Sequence, residues 1–340
     1  MQCPSVVLSE VEADMRDGLL ELLQKKNRFV SGQEIADTLG ISRSAVWKSI
    51  NRIRQEGYQV EAVTGKGYRI MGMEDAYGEN SIRSALKTVW LGRQTVFFDE
   101  IDSTNDEVRR RAQKGAEEGL LVAADCQTKG KGRRGRSWEN PPGTQIAMSF
   151  LLKPDFSPDI APMLTLVMAM ASVEGIRKVT ELSVRIKWPN DIVINGKKLV
   201  GILTEMTAEP DYIHEVIIGT GINVNIEEFP EELKETATSL YLESGKKWPR
   251  ALLTGEIINS FEKYYEIFRQ TGTFSELREE YNKLCINAGR RVCVLDPKGE
   301  FEAQAQGIND KGELIVTKDD GSVVNVFAGE VSVRGIYGYV

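Results

Sequence analysis

Hydrophobic positions near the start of the chain recur at the three-to-four-residue spacing of amphipathic helices. Residues 11–23 predict a first helix, whose apolar face consists of Leu19, Leu20, Leu22 and Leu23. A second helix is expected after Ser31, a typical N-cap residue, and it ends at Gly40 because glycine commonly follows a helix C-terminus. Ser42 caps a third helix, which turns three apolar side chains inward: Val46, Ile50 and Ile53.

After Gly57 the apolar period becomes two, which is the spacing of β-strands. A turn at residues 64–67, rich in glycine and lysine, separates two such runs and predicts a β-hairpin. A helix-turn-helix at residues 31–50 followed by this hairpin predicts a winged helix-turn-helix over residues 1–70. Residues 71–80 show no sustained periodicity and are predicted to be a linker.

Apolar runs of strand and helix length are mixed throughout residues 81–287, which predicts a central mixed α/β domain. Strands are expected at residues 95–98, 120–124, 184–187, 192–194, 198–206 and 216–225. Helices are expected at residues 106–114, 160–179, 249–271 and 275–286. In residues 288–340, short apolar stretches alternate with turns, as in a small SH3-like β-barrel. The predicted fold class is therefore α+β, with three parts.

Composition limits the possible functions. The 340 residues suffice for two or three domains, and the first ten lack the features of a signal peptide. No apolar run approaches membrane-spanning length, so we expect a soluble, cytoplasmic protein without a membrane partner. The four cysteines form no CxxC pair and His214 is the only histidine. Neither a structural zinc site nor a disulfide framework is expected, and no metal ligand is assigned.

Charge is distributed unevenly along the chain. The whole chain has 43 basic and 50 acidic residues, but residues 25–70 have a net charge of +5. A basic segment on an acidic body favours a nucleic-acid-binding module, although helix-turn-helix folds also occur in purely structural roles. Polar and basic residues on the outer face of the third helix and on the hairpin turn favour DNA binding. The candidate DNA-binding residues are Ser42, Arg43, Ser44, Lys48, Arg52 and Lys66.

Residues 129–138 form the most unusual segment of the chain. Its first eight positions contain five cations, three glycines and no acid. Glycine permits close backbone approach, and arginine offers a fork of donors suited to phosphate and carboxylate, so the segment predicts a loop that closes over an anionic ligand. The alternatives are a solvated basic loop and a Gly/Arg tract that binds RNA. No Walker-type phosphate loop occurs, and the Gly219-x-Gly221 segment lacks the third glycine of a dinucleotide site.

Four motifs resemble those of biotin-protein ligases. They are GKGRRGRSW at residues 130–138, IDSTN at 101–105, KWPND at 187–191 and KLVGILTE at 198–205. The family's usual loop has arginine where this chain has Lys131, which keeps the charge but loses the planar fork. With the winged helix and the small β-domain, the resemblance covers nearly the whole chain. It is similar to the bifunctional bacterial form, which is both a ligase and the repressor of the biotin operon.

The resemblance implies a two-step reaction and its partners. Biotin and ATP, with Mg²⁺, would give biotinyl-5′-AMP and pyrophosphate. A lysine of a biotin carboxyl-carrier protein would then receive the biotin. The resemblance also implies binding to operator DNA and a homodimer when biotinyl-AMP is bound.

Site residues are implied by the same motifs. Lys198 and Arg133 are the expected catalytic residues. The expected biotin-binding residues are Ser103, Thr104, Asn105, Gln127, Lys131, Gly132, Arg133 and Lys198. The expected adenylate-binding residues are Arg133, Arg136, Trp138, Asn190 and Asp191, of which the last two would lie at the ribose-phosphate or at magnesium. Two alternatives remain open: a non-catalytic, biotin-sensing transcription factor, and a lipoate ligase, which has a similar fold.

Overall fold

The computed structural model describes residues 18–19, 22–23, 26, 28–55, 58–73, 75, 77–139, 141–296, 299–327, 332–335 and 339–340. The chain divides into two compact units, Met1–Ala76 and Tyr77–Val340. The helix expected at residues 11–23 lies mostly outside the described residues. Of its four leucines, Leu19 and Leu23 are described as fully buried, and they belong to the core of the first unit.

Two helices and a hairpin follow in the first unit. Helix α1 is Gly32–Leu39, helix α2 is Arg43–Gln55, and the antiparallel strands are β1 (Tyr58–Val63) and β2 (Gly67–Met73). The side chain of Ser31 accepts the Glu34 backbone N–H at 3.0 Å, and Gly40 has a left-handed φ of 66°. Both predicted helix boundaries are thus produced by the expected capping contacts.

The hairpin is joined to the start of α1. Val30 and Tyr68 exchange two backbone hydrogen bonds, each of 2.8 Å. Gly67 has a φ of 102°, and a Cβ there would lie 2.1 Å from the carbonyl oxygen of Val30, so only glycine fits. The winged helix-turn-helix arrangement predicted from the sequence is therefore present.

The second unit is built on a seven-stranded sheet with the order β3-β4-β5-β9-β8-β7-β6. Its strands are β3 (Thr95–Ile101), β4 (Leu121–Gln127), β5 (Gln145–Leu152), β6 (Arg185–Lys187), β7 (Asp191–Ile194), β8 (Lys197–Glu209) and β9 (Tyr212–Asn223). Only β3 and β4 pair in parallel. The helices are α3 (Glu79–Ala85), α4 (Thr104–Ala112), α5 (Leu164–Thr180), α6 (Leu240–Ser244), α7 (Arg250–Thr271) and α8 (Arg278–Leu284).

The two faces of this sheet are covered differently. Helices α5 and α7 bury one face in the main apolar core, which includes Met148, Ile218 and Phe261. Helix α4 covers part of the other face through Val108, which packs on Ile217 and its neighbours. Because β9 alternates, Gly219 and Gly221 share the α4 face with Ile217. The candidate site lies on this second face.

A five-stranded antiparallel sheet completes the second unit, with the order β13-β12-β11-β10-β14. Its strands are β10 (Arg291–Leu295), β11 (Phe301–Ile308), β12 (Leu314–Thr317), β13 (Val323–Val326) and β14 (Ser332–Gly335). The predicted α+β class and the antiparallel C-terminal β-domain are confirmed. Closure of that sheet into a barrel stays a prediction.

Several sequence-based boundaries were wrong. Strand β2 continues to Met73 and α3 begins at Glu79, so both ends of the predicted linker, residues 71–80, belong to regular elements. The helix expected at residues 275–286 is confined to Arg278–Leu284. Strand β5 was missed because all eight of its residues are buried, so no alternation marks it.

Candidate functional site

A polar recess lies where α4 begins against the sheet. Ser103 is the N-cap of α4 and accepts the backbone N–H of Asp106. Thr104 approaches Gln127 Oε1 with both its backbone N–H, at 2.8 Å, and its hydroxyl, at 3.0 Å. Because the amide oxygen of Gln127 is engaged in this way, its NH₂ group is what Gln127 offers to a ligand.

Asn105 is fixed at both ends of its amide. The Ser149 hydroxyl donates to Asn105 Oδ1 at 2.6 Å and also lies 2.6 Å from the Thr104 hydroxyl. Asn105 Nδ2 donates to Glu205 Oε2 at 2.7 Å, and Arg109 pairs with Glu205 at 3.0 Å. The recess is thus a preorganised hydrogen-bonding surface rather than a set of mobile polar side chains.

Glycines make room for this arrangement. A Cβ at Gly219 would lie 2.0 Å from Asn105 Oδ1, and a Cβ at Gly221 would lie 2.4 Å from the Trp138 ring. Gly201, which pairs with Gly221 across β8 and β9, lies under the same tryptophan. The Gly219-x-Gly221 pattern therefore allows two side chains to rest directly on the sheet.

The basic loop folds into a tight hairpin. Trp138 N–H donates to Gly130 O at 2.9 Å, and Gly132 N–H donates to Arg136 O at 2.7 Å. A Cβ at Gly130 would lie 2.2 Å from the Trp138 carbonyl oxygen, so glycine is required there. Lys131 Nζ is 2.7 Å from Asp106 Oδ2, an ion pair that ties the loop to the first turn of α4.

Two cations line the recess beside the adjacent residues Asn190 and Asp191. Arg133 Nη1 donates to Asn190 Oδ1 at 2.9 Å, and burial lowers the pKa of its guanidinium against the opposing effect of the Asp191 charge. Arginine nevertheless remains charged at neutral pH. Lys198 Nζ is 2.7 Å from Asp191 Oδ1 and 5.5 Å from the Trp138 ring centroid.

Asp191 organises the wall that carries Lys198. The carboxylate is buried, and its Oδ2 accepts the hydroxyl of Tyr339 while Lys187 Nζ lies 4.0 Å away. Desolvation alone would raise the pKa of Asp191. The charges of Lys198 and Lys187 and the hydrogen bonds from Lys198 and Tyr339 outweigh it, so the pKa is lowered and the group stays ionised.

The backbone also fixes Lys198. Its N–H donates to Thr236 O at 2.8 Å, and its carbonyl accepts the Thr238 N–H at 2.9 Å. The pairing of β7 with β8 shifts register between Ile192 and Val193, where the partner changes from Val200 to Lys198. This irregularity places Lys198 at the edge of the pocket.

Ten of the expected site residues line one pocket. They are Ser103, Thr104, Asn105, Gln127, Lys131, Gly132, Arg133, Trp138, Asn190 and Lys198. Arg136 is exposed on the loop, and Asp191 is buried beside Lys198; neither lines the pocket. A polar recess bordered by fixed cations suits a ligand with a neutral polar head and an anionic end.

Several residues that position the site were not predicted from the sequence. Ser149 and Glu205 hold Asn105, Asp106 holds Lys131, and Tyr339 contacts Asp191. Glu205 ends the KLVGILTE motif and Asp106 directly follows IDSTN, so both carried a signal through their motif. Ser149 and Tyr339 carried none.

The candidate DNA-binding residues form an exposed surface on the first unit. All six, Ser42, Arg43, Ser44, Lys48, Arg52 and Lys66, are exposed. Trp47 was not among them, yet it lies in α2 beside Lys48 with 59% of its surface exposed. The recognition-type helix therefore presents an aromatic ring together with its cations.

None of the described helices combines the length and the apolar character that a membrane crossing requires. Within the same described ranges, no group of three or more His, Cys, Asp or Glu side chains is arranged to hold a metal ion.

The fold and the site together define a class of protein. In this class, one chain combines a winged helix-turn-helix, a type of fold that binds DNA, with a pocket suited to an anionic ligand. Comparison with family models supports this division. The model of the biotin/lipoate A/B protein ligase family matches residues 97–223. A helix-turn-helix domain model matches residues 16–69, and the biotin protein ligase C-terminal domain model matches residues 288–334.

Similar proteins agree with the family models. The bifunctional ligase/repressor BirA of Bacillus subtilis (strain 168) is 41% identical over 94% of this chain and 99% of its own length. Its namesake from Escherichia coli (strain K12) is 30% identical over the same shares. The structure of the Aquifex aeolicus biotin protein ligase with biotin and ATP has 30% identity and a TM-score of 0.64, covering 72% of this chain and 99% of that one. The chain belongs to the biotin/lipoate A/B protein ligase family.

Proposed function

We propose that this chain is an ATP-dependent biotin-protein ligase and a transcriptional repressor controlled by its own intermediate. The central observation is that Lys198, fixed 2.7 Å from a buried Asp191, lines the same polar recess as Arg133. The similar proteins named BirA and the biotin- and ATP-bound Aquifex structure support the choice of ligands.

The polar recess suits the ureido head of biotin, which has two donors and one acceptor. Gln127 offers NH₂ to the ureido oxygen, and hydroxyl and amide oxygens around Ser103, Thr104 and Asn105 offer acceptors for the ureido N–H groups. Burying the head unpaired would cost about 1–3 kcal/mol for each group, so these contacts select for biotin.

The adenylation step needs alignment and positive charge rather than a side-chain nucleophile. A biotin carboxylate oxygen forms the bond to the α-phosphorus of ATP, the bond from that phosphorus to the bridging oxygen breaks, and pyrophosphate leaves with the electron pair. Negative charge is concentrated on the phosphoryl oxygens during this exchange. Lys198 and Arg133 supply the stabilising charge, with Lys131 and Gly132 closing the loop side.

The transfer step uses the same site. The neutral amine of an acceptor lysine attacks the carbonyl of the mixed anhydride and an amide bond forms. The bond from that carbonyl carbon to the phosphate oxygen breaks, AMP leaves with the electron pair, and the nitrogen passes its proton to water. We propose a biotin carboxyl-carrier protein as the acceptor.

In this proposal the adenylate lies along the basic loop and the β7–β8 hairpin. Trp138 supplies an aromatic face for adenine, Arg136 contacts the nucleotide from the loop, and Asn190 faces its ribose-phosphate. Asp191 acts by holding Lys198. The oxygens of Asp191 and Asn190 already contact Lys198, Tyr339 and Arg133, so we assign Mg²⁺ to the phosphates of ATP. Held there, it would neutralise charge on the phosphate oxygens.

Repression uses the first unit. The exposed cations of α2 and the hairpin bind operator DNA, and biotinyl-AMP favours a homodimer that occupies two half-sites.

Pyrophosphate release tests the enzymatic proposal. The purified chain is incubated with ATP and either biotin or lipoate, and transfer of labelled biotin to a carboxyl-carrier domain is measured in parallel. We expect release that depends on biotin and resists competition by lipoate. Biotin binding without pyrophosphate release would indicate a non-catalytic sensor, and a preference for lipoate would indicate a lipoate ligase.

A further inference from the structure

Tyr339 lies against the KWPND segment although about 150 residues separate them in sequence. Its hydroxyl donates to Asp191 Oδ2, and its ring carries Lys187 Nζ 3.4 Å from the centroid. A single side chain from the C-terminal end of the described chain therefore contacts both charged ends of the motif. Tyr339 itself lies outside all four ligase motifs.

The position of Tyr339 is defined by its neighbour. A Cβ at Gly335, the last residue of β14, would lie 2.0 Å from the Val340 carbonyl oxygen. A Cβ at Gly196, in the turn between β7 and β8, would lie 3.3 Å from Val340 Cγ2. Val340 thus packs between the C-terminal sheet and the hairpin that carries Asp191 and Lys198.

Two lysines compete for one buried carboxylate. Lys198 Nζ holds Asp191 Oδ1 at 2.7 Å, whereas Lys187 Nζ stays 4.0 Å from Oδ2. The Tyr339 hydroxyl satisfies Oδ2, and its ring face stabilises the Lys187 ammonium, which is nearly buried. Without the hydroxyl, Oδ2 would be a buried charged acceptor that draws Lys187 closer and turns the carboxylate away from Lys198.

We propose that Tyr339 is a positioning residue for adenylation. Its hydroxyl binds Oδ2 of Asp191 and leaves Oδ1 to Lys198. The ammonium of Lys198 therefore stays directed at the reacting oxygens. This inference rests on the proposed function. It assigns a role in adenylation to a residue outside all four ligase motifs.

The test is a double-mutant cycle on the adenylation step. Tyr339→Phe keeps the ring over Lys187 and removes only the hydroxyl. It is made in the wild-type chain and in Asp191→Asn, and the single-turnover rate of biotinyl-AMP formation is measured with enzyme in excess. Tyr212→Phe is the matched control, because Tyr212 is exposed on the β8–β9 hairpin.

We expect Tyr339→Phe to slow adenylate formation about 10- to 100-fold in the wild-type chain, as loss of a hydrogen bond to a charged group does. The KM for biotin should not change, because the ureido recess is untouched. In the Asp191→Asn background the same substitution should have little further effect, since the two changes act through one contact.

Two results would overturn this inference and leave the proposed function standing. One is an unchanged rate of biotinyl-AMP formation in Tyr339→Phe, and the other is an equal loss of rate in the wild-type and Asp191→Asn backgrounds. An equal loss would mean that Tyr339 acts through general stability. A wild-type chain that forms no adenylate would overturn the proposed function, and this inference with it.

Discussion

At the scale of single residues, the site depends on fixing charges that are normally mobile. A lysine ammonium is strongly hydrated and sits on a flexible stem, so holding it in one place costs side-chain entropy. Asp191 offsets that cost from a buried position, where the attraction to Lys198 is less screened by solvent. The structure thus supplies a preorganised cation rather than a flexible one.

Removal of the Lys198 amine should affect the chemical step selectively. Lys198→Ala is expected to reduce pyrophosphate release about 10²- to 10³-fold, the typical effect of removing one group that stabilises developing charge. Lys197→Ala is the matched control, because Lys197 instead donates to the Lys234 carbonyl at 2.6 Å. Equal rates for the two variants would contradict the assignment of Lys198.

Gly221 gives a steric test of the same pocket. A Cβ there would lie 2.4 Å from the Trp138 ring, so Gly221→Ala should displace the tryptophan from the sheet. We expect a higher KM for ATP and a shifted tryptophan emission. Gly78→Ala is the control, since its Cβ would meet no atom within 4 Å and its φ is −174°. An unchanged KM for ATP in Gly221→Ala would contradict the assignment of Trp138 to the adenylate site.

At this scale the motifs indicated which side chains lie together, whereas their functional roles stay predictions. Lys198, Arg133 and the residues after Ser103 converge on one pocket, as expected from the motifs that contain them. Tyr339 and Ser149 were not predictable, because their contacts join segments far apart in sequence. The roles assigned to individual residues stay predictions until the variants are measured.

At the scale of elements, the basic loop is a folded hairpin that two side-chain contacts attach to its neighbours. The Lys131–Asp106 pair and the Arg133–Asn190 hydrogen bond link it to α4 and to the start of β7. The first of these joins an exposed lysine to a partly exposed aspartate and is worth little, since ion pairs at the surface typically contribute about 0–1 kcal/mol. Arg133 is therefore the more important anchor.

Loss of that anchor should let the intermediate escape. In Arg133→Gly the loop can no longer hold Asn190, so biotinyl-AMP should leave the site and acylate lysines indiscriminately. Blotting for biotin on bystander proteins measures this, and Arg134→Gly is the control because Arg134 is exposed and already has a left-handed φ of 58°. Biotin confined to the acceptor protein in both variants would contradict the anchoring role.

Element prediction was most accurate where local signals and packing agree. Ser31 and Gly40 mark the ends of α1, as their capping preferences predict. Prediction failed for β5, whose burial on both faces removes the alternation that identifies strands. Regular structure also extends into both ends of residues 71–80, since β2 continues to Met73 and α3 begins at Glu79.

At the scale of the whole molecule, charge separates two functions. Residues 25–70 are net basic, whereas the chain as a whole has a formal net charge of −7. Bulk attraction to DNA is therefore expected of the first unit, where the candidate cations of α2, Arg43, Lys48 and Arg52, would provide few phosphate contacts. A single copy should bind DNA weakly and with a marked dependence on salt.

Ligand-controlled dimerisation would offset the weak DNA binding of a single copy. Winged-helix proteins commonly gain affinity by placing two copies on two half-sites. If biotinyl-AMP orders the loop, it lowers the entropy cost of forming the dimer, and unused intermediate then signals that acceptor proteins are saturated.

We therefore expect operator binding in a gel-shift titration to tighten with biotin plus ATP and to weaken when unmodified acceptor is added. The Lys198→Ala chain is the control, because it should form little adenylate and so bind with the same low affinity whether or not biotin and ATP are present. Equal operator affinity of the wild-type chain with and without ligands would leave the ligase activity intact but rule out its coupling to repression.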